Sequence, residues 1–412
     1  MIPHQAPFRV ACQEMPSASS LDVVFHFCLA FGTAFQICSS RSVMGRAEPG
    51  TPLPGWRALL ALLLAVGIAV SGCSMTPPGR MIDAGAAPPA GGQPGLPVIG
   101  VSAIDLTSSF FVGMRSAGEE AAADYGVTTV WQSAEGSVER QVSTIQNFVN
   151  QRVSAILIDP LDKNALQPAI ARATQAGIPV VTMGNKIEAD GNHSTLYHDA
   201  ENMAMVARAT GAYLGGRGEV ALLVGSRGNY VSDTREQAFA STLQREYPGV
   251  RLVSVQPTAF DARKASNTTV TWMTTYPDLD LIACISGPLC LSAKATASSL
   301  SRPDLKVAGH DGEQDLQPLL DNGSMIIDVL TGPERVGYWN VAVGARLAKG
   351  ADLPRDLYMP SYFITTDATA AQLEQRGLTF PYVTPEHAAE LSRSYESEFG
   401  PSLPDSEMTT VQ

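Results

Sequence analysis

The sequence predicts an α/β fold of two doubly wound parallel-sheet lobes. Two observations carry this expectation. From Leu96 onward, short β-rich apolar runs alternate with stretches of helical spacing. Strands alternating with helices of such length form parallel sheets covered on both faces. The alternation also comes in two successive series, which favours two lobes over a single closed eight-fold barrel.

The first series places strands at Val98–Ala103, Val127–Trp131, Ala155–Ile158, Ile178–Met183 and Thr195–Tyr197. Helical spacing fills the gaps at Phe111–Asp124, Val138–Gln151, Asn164–Gln175 and Ala200–Leu214. The second series repeats the scheme with strands Glu219–Val224, Arg251–Val255, Leu281–Ile285, Lys306–Gly309 and Met325–Leu330. Its helices fall at Ser232–Arg245, Ala262–Tyr276, Leu289–Leu300, Leu316–Asp321 and Arg335–Leu347. In open α/β sheets, ligands bind beyond the carboxyl ends of the strands. Two such lobes face to face make a cleft, and the residues just after each strand become the candidates.

Upstream, Arg57 leads an apolar run from Ala58 to Val70 that closes on Ser71-Gly72-Cys73. A basic flank, a short apolar core and small residues before a cut form a secretory signal. The run holds about thirteen residues, against the roughly twenty needed to span a bilayer. Small residues directly before a cysteine resemble the bacterial lipobox, so Cys73 is expected to be lipidated and to begin the mature chain. Residues 1–43 read as an over-extended start ahead of the 44–72 signal peptide; a genuine extra membrane helix is the alternative. Residues 73–96 are rich in Pro, Gly and Ala and read as a lipid-anchored tether.

The chain has 412 residues, a formal charge of −12 and six cysteines. Without the leader and tether about 320 residues remain, enough for two lobes with substantial cores. The acidic balance disfavours a nucleic-acid binder, which needs a basic stripe to release counterions. Cys284 and Cys290 lie in the exported body, where disulfides persist, and are expected to bridge; two unpaired thiols are the alternative.

Nucleophile elbows, H-E-x-x-H, P-loop and G-x-G-x-x-G patterns are missing from the sequence. Nothing favours an enzyme, a cofactor or a metal site. The strand ends instead carry groups suited to a polar ring. After the first strand, Asp105, Thr107 and Ser108 precede Phe110 and Phe111. Aromatic faces pack on the C–H side of a sugar ring, while polar groups satisfy its hydroxyls. The same two phenylalanines also suit ordinary core. Trp131 is equally a stacking wall or core. Arg235 offers a planar fork of donors, or pairs on its helix with Asp233 or Glu236. Asp311, directly after a strand, accepts ligand hydroxyls or caps the next helix.

Ser108-Ser109-Phe110-Phe111-Val112, Ala176-Gly177-Ile178-Pro179-Val180-Val181, Arg235-Glu236-Gln237-Ala238-Phe239 and Gly309-His310-Asp311-Gly312 occur in order along the chain. The set resembles the ribose-binding type of periplasmic solute-binding protein, the receptor of sugar ABC importers, over roughly Val98 to Thr366. The resemblance implies the type I periplasmic fold, with a three-strand hinge crossing near Asp199-Ala200, Thr331-Gly332 and Pro360. Residues 97–199 plus 332–360 would form the N-terminal lobe, and 200–331 plus 361–400 the C-terminal lobe. Ser108, Phe110 and Phe111 would line one side of the cleft. Arg235, Phe260, Ser286, Asp311 and Thr331 would line the other. Partners would be a sugar-like solute and an ABC permease, with the protein a monomer held outside the cytoplasm by its lipid.

The departures from the resemblance matter. Gly184-Asn185 stands where ribose binders carry an Asp-Arg pair. Ser286, Thr331 and Ser108 replace an asparagine, a hinge glutamine and another asparagine. Shorter anchors leave more room, so the ligand is expected to be larger or less hydroxylated than ribose. A receptor signalling to a membrane kinase or chemoreceptor would use the same residues. An enzyme using the cleft would need an acid–base pair or nucleophile that is not apparent.

Overall fold

The computed structural model describes residues 95–405; the leader, Cys73 and the tether lie outside them. The first lobe grows around β1 (Val98–Ala103), buried along nearly its whole length. β1 lies between β2 (Thr128–Ser133) and β3 (Ala155–Ile158). The sheet continues through β4 (Val180–Thr182), β5 (His193–Leu196) and β11 (Asp356–Tyr358), in the order β11-β5-β4-β3-β1-β2. All of these pairings are parallel, so each connection is a crossover and both faces are covered. On one face α1 (Ser109–Asp124) packs with α9 (Pro333–Ala348). Gly337 lets them touch, since a Cβ there would sit 1.9 Å from the Met114 carbonyl oxygen. The other face carries α2 (Val138–Gln151) and α3 (Gln167–Gln175), which bury Phe148, Ile145 and Ile170.

The second lobe has the parallel order β7-β6-β8-β9, with β6 (Gly218–Val224) and β8 (Leu281–Cys284) central and β7 (Val250–Pro257) and β9 (Lys306–Ala308) outside. Its helices are α4 (Asp199–Tyr213), α5 (Tyr230–Glu246), α6 (Ala262–Thr275), α7 (Gly287–Ser299) and the short α8 (Gln317–Asp321). Antiparallel β10 (Asp328–Leu330) and β12 (Tyr362–Ile364) continue this lobe. Parallel bridges Val307–Met325 and Asp311–Leu330 join them to its sheet.

The chain passes between lobes from β5 to α4, from β10 to α9 and from β11 to β12. After α10 (Asp367–Glu374) and α11 (Pro385–Leu391), which stay on the second lobe, it returns once more. α12 (Tyr395–Phe399) packs on α9, with Tyr395 stacked on Tyr338 at 4.7 Å and Phe399 tilted against Trp339 at 5.6 Å. The expectation that 361–400 belongs wholly to the second lobe therefore fails at its end. Arg335 is fully buried in α9, and Glu398 supplies its carboxylate at 2.8 Å. A buried guanidinium without a partner is costly, so the tail is drawn back. Among the described residues no helix is long and apolar enough to cross a membrane.

Candidate ligand-binding cleft

The carboxyl ends of both sheets open on one cavity of about 670 Å³, within the range typical of small-molecule sites. The lobes touch around it. Asn229 Nδ2 donates to the Pro160 carbonyl at 2.8 Å, Lys163 N to Gly228 O at 3.2 Å, and Val231 N to Asn185 Oδ1 at 3.3 Å.

Aromatic walls come from both lobes. Phe110 and Phe111, in the first turn of α1, meet edge to face at 5.3 Å and line the cavity with Met114. Opposite them stands Phe260, in the turn between β7 and α6. That turn holds Ala259 at φ 56° and Phe260 at φ 60°, a left-handed pair that L residues rarely adopt. The Phe260 ring lies on Gly225, where a Cβ would be 2.2 Å from it. A glycine at the end of β6 thus sets where the wall stands.

The polar floor centres on Arg235, 4% exposed. Its Nε donates to Asp199 Oδ1 at 2.7 Å; its Nη1 donates to Asp311 Oδ1 at 2.8 Å and to the Ile285 carbonyl at 2.7 Å. Burial alone would lower its pKa, but the two carboxylates reverse this and raise it. The helix partners Asp233 and Glu236 are not used. Nη2 has no partner among the described residues and remains for the cleft that Arg235 lines. Asp311 sits at φ 102°. Burial would raise its pKa, yet Arg235 and His310 hold it below the usual range. His310, fully buried, contacts Asp311 Oδ1 through Nδ1 at 3.0 Å; burial and the Arg235 charge push its pKa down. Thr331 Oγ1 donates to the Asp311 carbonyl at 3.3 Å and ties the β10 exit to this group.

Ser108 and Ser286 are the N-caps of α1 and α7, and neither hydroxyl makes a capping bond. Cap hydroxyls ordinarily accept from the first-turn N–H groups; these two line the cavity with that capacity unspent. Asn185 also lines it. Asp105 lies there too, but its oxygens accept from Leu106 N, Thr107 N, Thr107 Oγ1 and Ser108 N at 2.7–3.0 Å. Burial would raise its pKa, and these donors lower it. Its carboxylate shapes the turn that presents Ser108 and Phe110.

Two sequence expectations are corrected. Trp131 does not line the cavity. Its indole fills a slot over α1 left by Gly118, where a Cβ would be 2.7 Å from the ring, and it packs on the first-lobe core. Cys284 and Cys290 are free, buried thiols. Cys290 Sγ is turned to donate to the Ala308 carbonyl at 3.4 Å, on the neighbouring strand β9.

The cleft also holds residues that the sequence reading passed over, notably Asp159, Tyr197 and Asn229. Asp159 follows β3 directly, so the strand-end rule pointed to it. Burial pushes its carboxyl up to about 7, opposed by a hydrogen bond from Asn185 and reinforced by the Asp311 charge. Tyr197 is buried at the end of β5 with its hydroxyl donating to Met359 Sδ at 3.0 Å.

Residues 99–352 match the family model described as a periplasmic binding protein domain. The chain is 25% identical over 282 residues to a xylitol-binding protein of Mycolicibacterium smegmatis, covering 67% of this chain and 79% of the relative. It is 27% identical over 241 residues to the ribose import binding protein of Bacillus subtilis, covering 58% and 77%. The structure of a Caulobacter myo-inositol binding protein superposes with a TM-score of 0.64 at 19% identity, covering 70% of this chain and 98% of that one. With that match spanning more than half of its length, the chain belongs to the periplasmic binding protein family, in the two-lobed type I fold.

Proposed function

We propose that this protein is an extracytoplasmic receptor that captures a sugar-like small molecule and presents it to an ABC permease. The carrying observation is the cleft itself: aromatic walls from both lobes, Phe110 and Phe111 against Phe260, over a floor of Arg235, Asp311 and two unspent cap hydroxyls. A ring with apolar faces and a hydroxylated edge fits this division of surfaces. The relatives named for xylitol and ribose support the same class. Ligand contacts fall to Ser108, Phe110, Phe111, Asn185, Arg235, Phe260, Ser286, Asp311 and Thr331, with Asp159 added. Binding without turnover is the expected mode, since the charged floor of Arg235, Asp199 and Asp311 is engaged in holding itself together.

Cys73 is proposed as the lipidated first residue of the mature chain, which keeps the receptor beside its membrane partner. Stable anchoring takes more than one acyl chain. Cys73→Ser is expected to shift the protein to the soluble fraction; retention in the membrane fraction would place the anchor elsewhere.

Calorimetry against pentoses, hexoses, alditols and inositols tests the binding reading. A ligand that prefers the native state also raises the melting temperature by mass action. Ribose as the tightest ligand would remove the argument from the shortened anchors Ser108, Ser286 and Thr331. Failure of the whole panel would remove the sugar-like class.

A further inference from the structure

The charges of the cleft do not cancel. Arg235 is the innermost cation, and Asp199 and Asp311 hold it at 2.7 and 2.8 Å. One guanidinium between two carboxylates leaves the group net negative. The cations nearer the rim are also committed: Lys163 pairs with Asp233 at 3.4 Å, and Arg263 pairs with Asp261 at 3.4 Å, its side chain 91% exposed.

Asp159 adds a further carboxyl between the lobes. Among the described residues no lysine or arginine forms an ion pair with it, and its side-chain partner is the neutral amide of Asn185. The charge that acts on it is another carboxylate, Asp311. The Asp159 carboxyl lines the cavity, where burial first, and the Asp311 charge after it, raise its pKa to about 7. Asp159 and Asn185 line the same cavity, and Asn185 brings no charge to it. A partly buried carboxylate is stabilised by a paired cation.

We propose that the ligand supplies the missing cation: an amino-substituted sugar or polyol ring whose ammonium group pairs with the Asp159 carboxylate. This rests on the sugar-like reading above and narrows it. The ring faces lie between Phe110, Phe111 and Phe260, the hydroxyls reach Ser108, Ser286 and Arg235 Nη2, and the amine points toward β3. An ammonium donates to a carboxylate in a charge-assisted bond, stronger than a hydroxyl in the same place.

The test is calorimetry with matched pairs differing only in amine against hydroxyl, such as glucosamine and glucose, galactosamine and galactose, and aminodeoxyinositol and inositol. At least one amine is expected to bind about tenfold or more tighter than its hydroxyl partner, the worth of a hydrogen bond to a charged group. Asp159→Asn keeps shape and hydrogen bonding and should erase that preference while sparing the hydroxyl compound; Asp159→Glu should retain it. Equal or tighter binding of every hydroxyl partner overturns the amine and leaves the sugar-like class standing. An amine preference that survives in Asp159→Asn overturns the role of Asp159. No binding by any pair overturns the sugar-like class together with the proposal.

Discussion

Asp328→Asn replaces the first residue of β10 with its neutral isostere. Asp328 is fully buried, and neither carboxylate oxygen completes a hydrogen bond. Burial first, and the Asp311 charge, raise its pKa to about 8 against the Val329 and Gly312 N–H groups, which lower it. In the unfolded chain an aspartate titrates near pH 3.9, so the folded state holds its proton more tightly. Below about pH 4 both states are protonated and the residue carries no penalty. Between about pH 4 and 8 only the unfolded state is ionised, so stability falls as pH rises, by about 1.36 kcal/mol per unit. From pH 4 to pH 7 this sums to roughly 4 kcal/mol at most. Asparagine has no proton to lose and escapes that slope, though its buried amide brings an unmet hydrogen-bonding cost of about 1–3 kcal/mol. Urea unfolding of both proteins at pH 4.5, 6, 7 and 8 reads the difference directly. The variant is expected to gain on the wild type by about 2–3 kcal/mol between the first and third points. A pH-independent difference would refute the reasoning, whichever protein is the more stable.

Three further outcomes follow from close contacts. Gly225→Ala sets a Cβ 2.2 Å from the Phe260 ring and should displace that wall, weakening the tightest ligand about tenfold or more in calorimetry while leaving far-UV circular dichroism unchanged; undiminished affinity would detach Phe260 from binding. Gly337→Ala meets backbone, the Met114 carbonyl at 1.9 Å, so α1 and α9 must separate, with a loss of about 2–4 kcal/mol in urea unfolding; a neutral result would show that the helices slide freely. A thiol assay on the chain from Ile82 onward, denatured without reductant, should count Cys284 and Cys290 as two free thiols; a count of zero would restore the bridge.

Much of the fold was legible because its signals are local. The bounds of β1, β3 and α2 coincide with the apolar runs Val98–Ala103 and Ala155–Ile158 and the helical stretch Val138–Gln151. β11 and β12 have three residues each, DLY and YFI, too few to show a period, and they went unread along with the tail helices. The site divides in the same way. Ser108, Phe110 and Asp311 follow strands directly, so the strand-end rule reached them; it reached Trp131 as well, but the slot at Gly118 turns that side chain into the core. For Arg235 the sequence offered Asp233 and Glu236, two and one positions away. Its partners are Asp199 and Asp311, separated from it by 36 and 76 residues. Long-range pairing leaves no trace in spacing, and neither does the missing counter-charge of Asp159.

Strain and electrostatics meet at the same residues. Of the six non-glycine residues at positive φ among those described, Glu135, Ala259, Phe260 and Asp311 line the cleft. Each such residue costs of order 1–3 kcal/mol and persists only where its surroundings over-determine it. For Asp311 the surroundings are the Arg235 and His310 contacts on its side chain and the Thr331 and Gly332 N–H groups on its carbonyl. Those last two residues form the link from β10 to α9, one of the passages between lobes. A ligand that bonds Asp311 therefore acts on a residue whose backbone holds a hinge link and whose side chain holds Arg235. Asp159 lines the same cavity, and the Asp311 charge already acts on it. Apposition is then unfavourable until something in the cleft offsets it, while Asn229 to Pro160 and Val231 to Asn185 favour it throughout. Two opposed sets of contacts across one cleft make the lobe arrangement responsive to any ligand that offsets the carboxyls, because such a ligand binds one arrangement better than another.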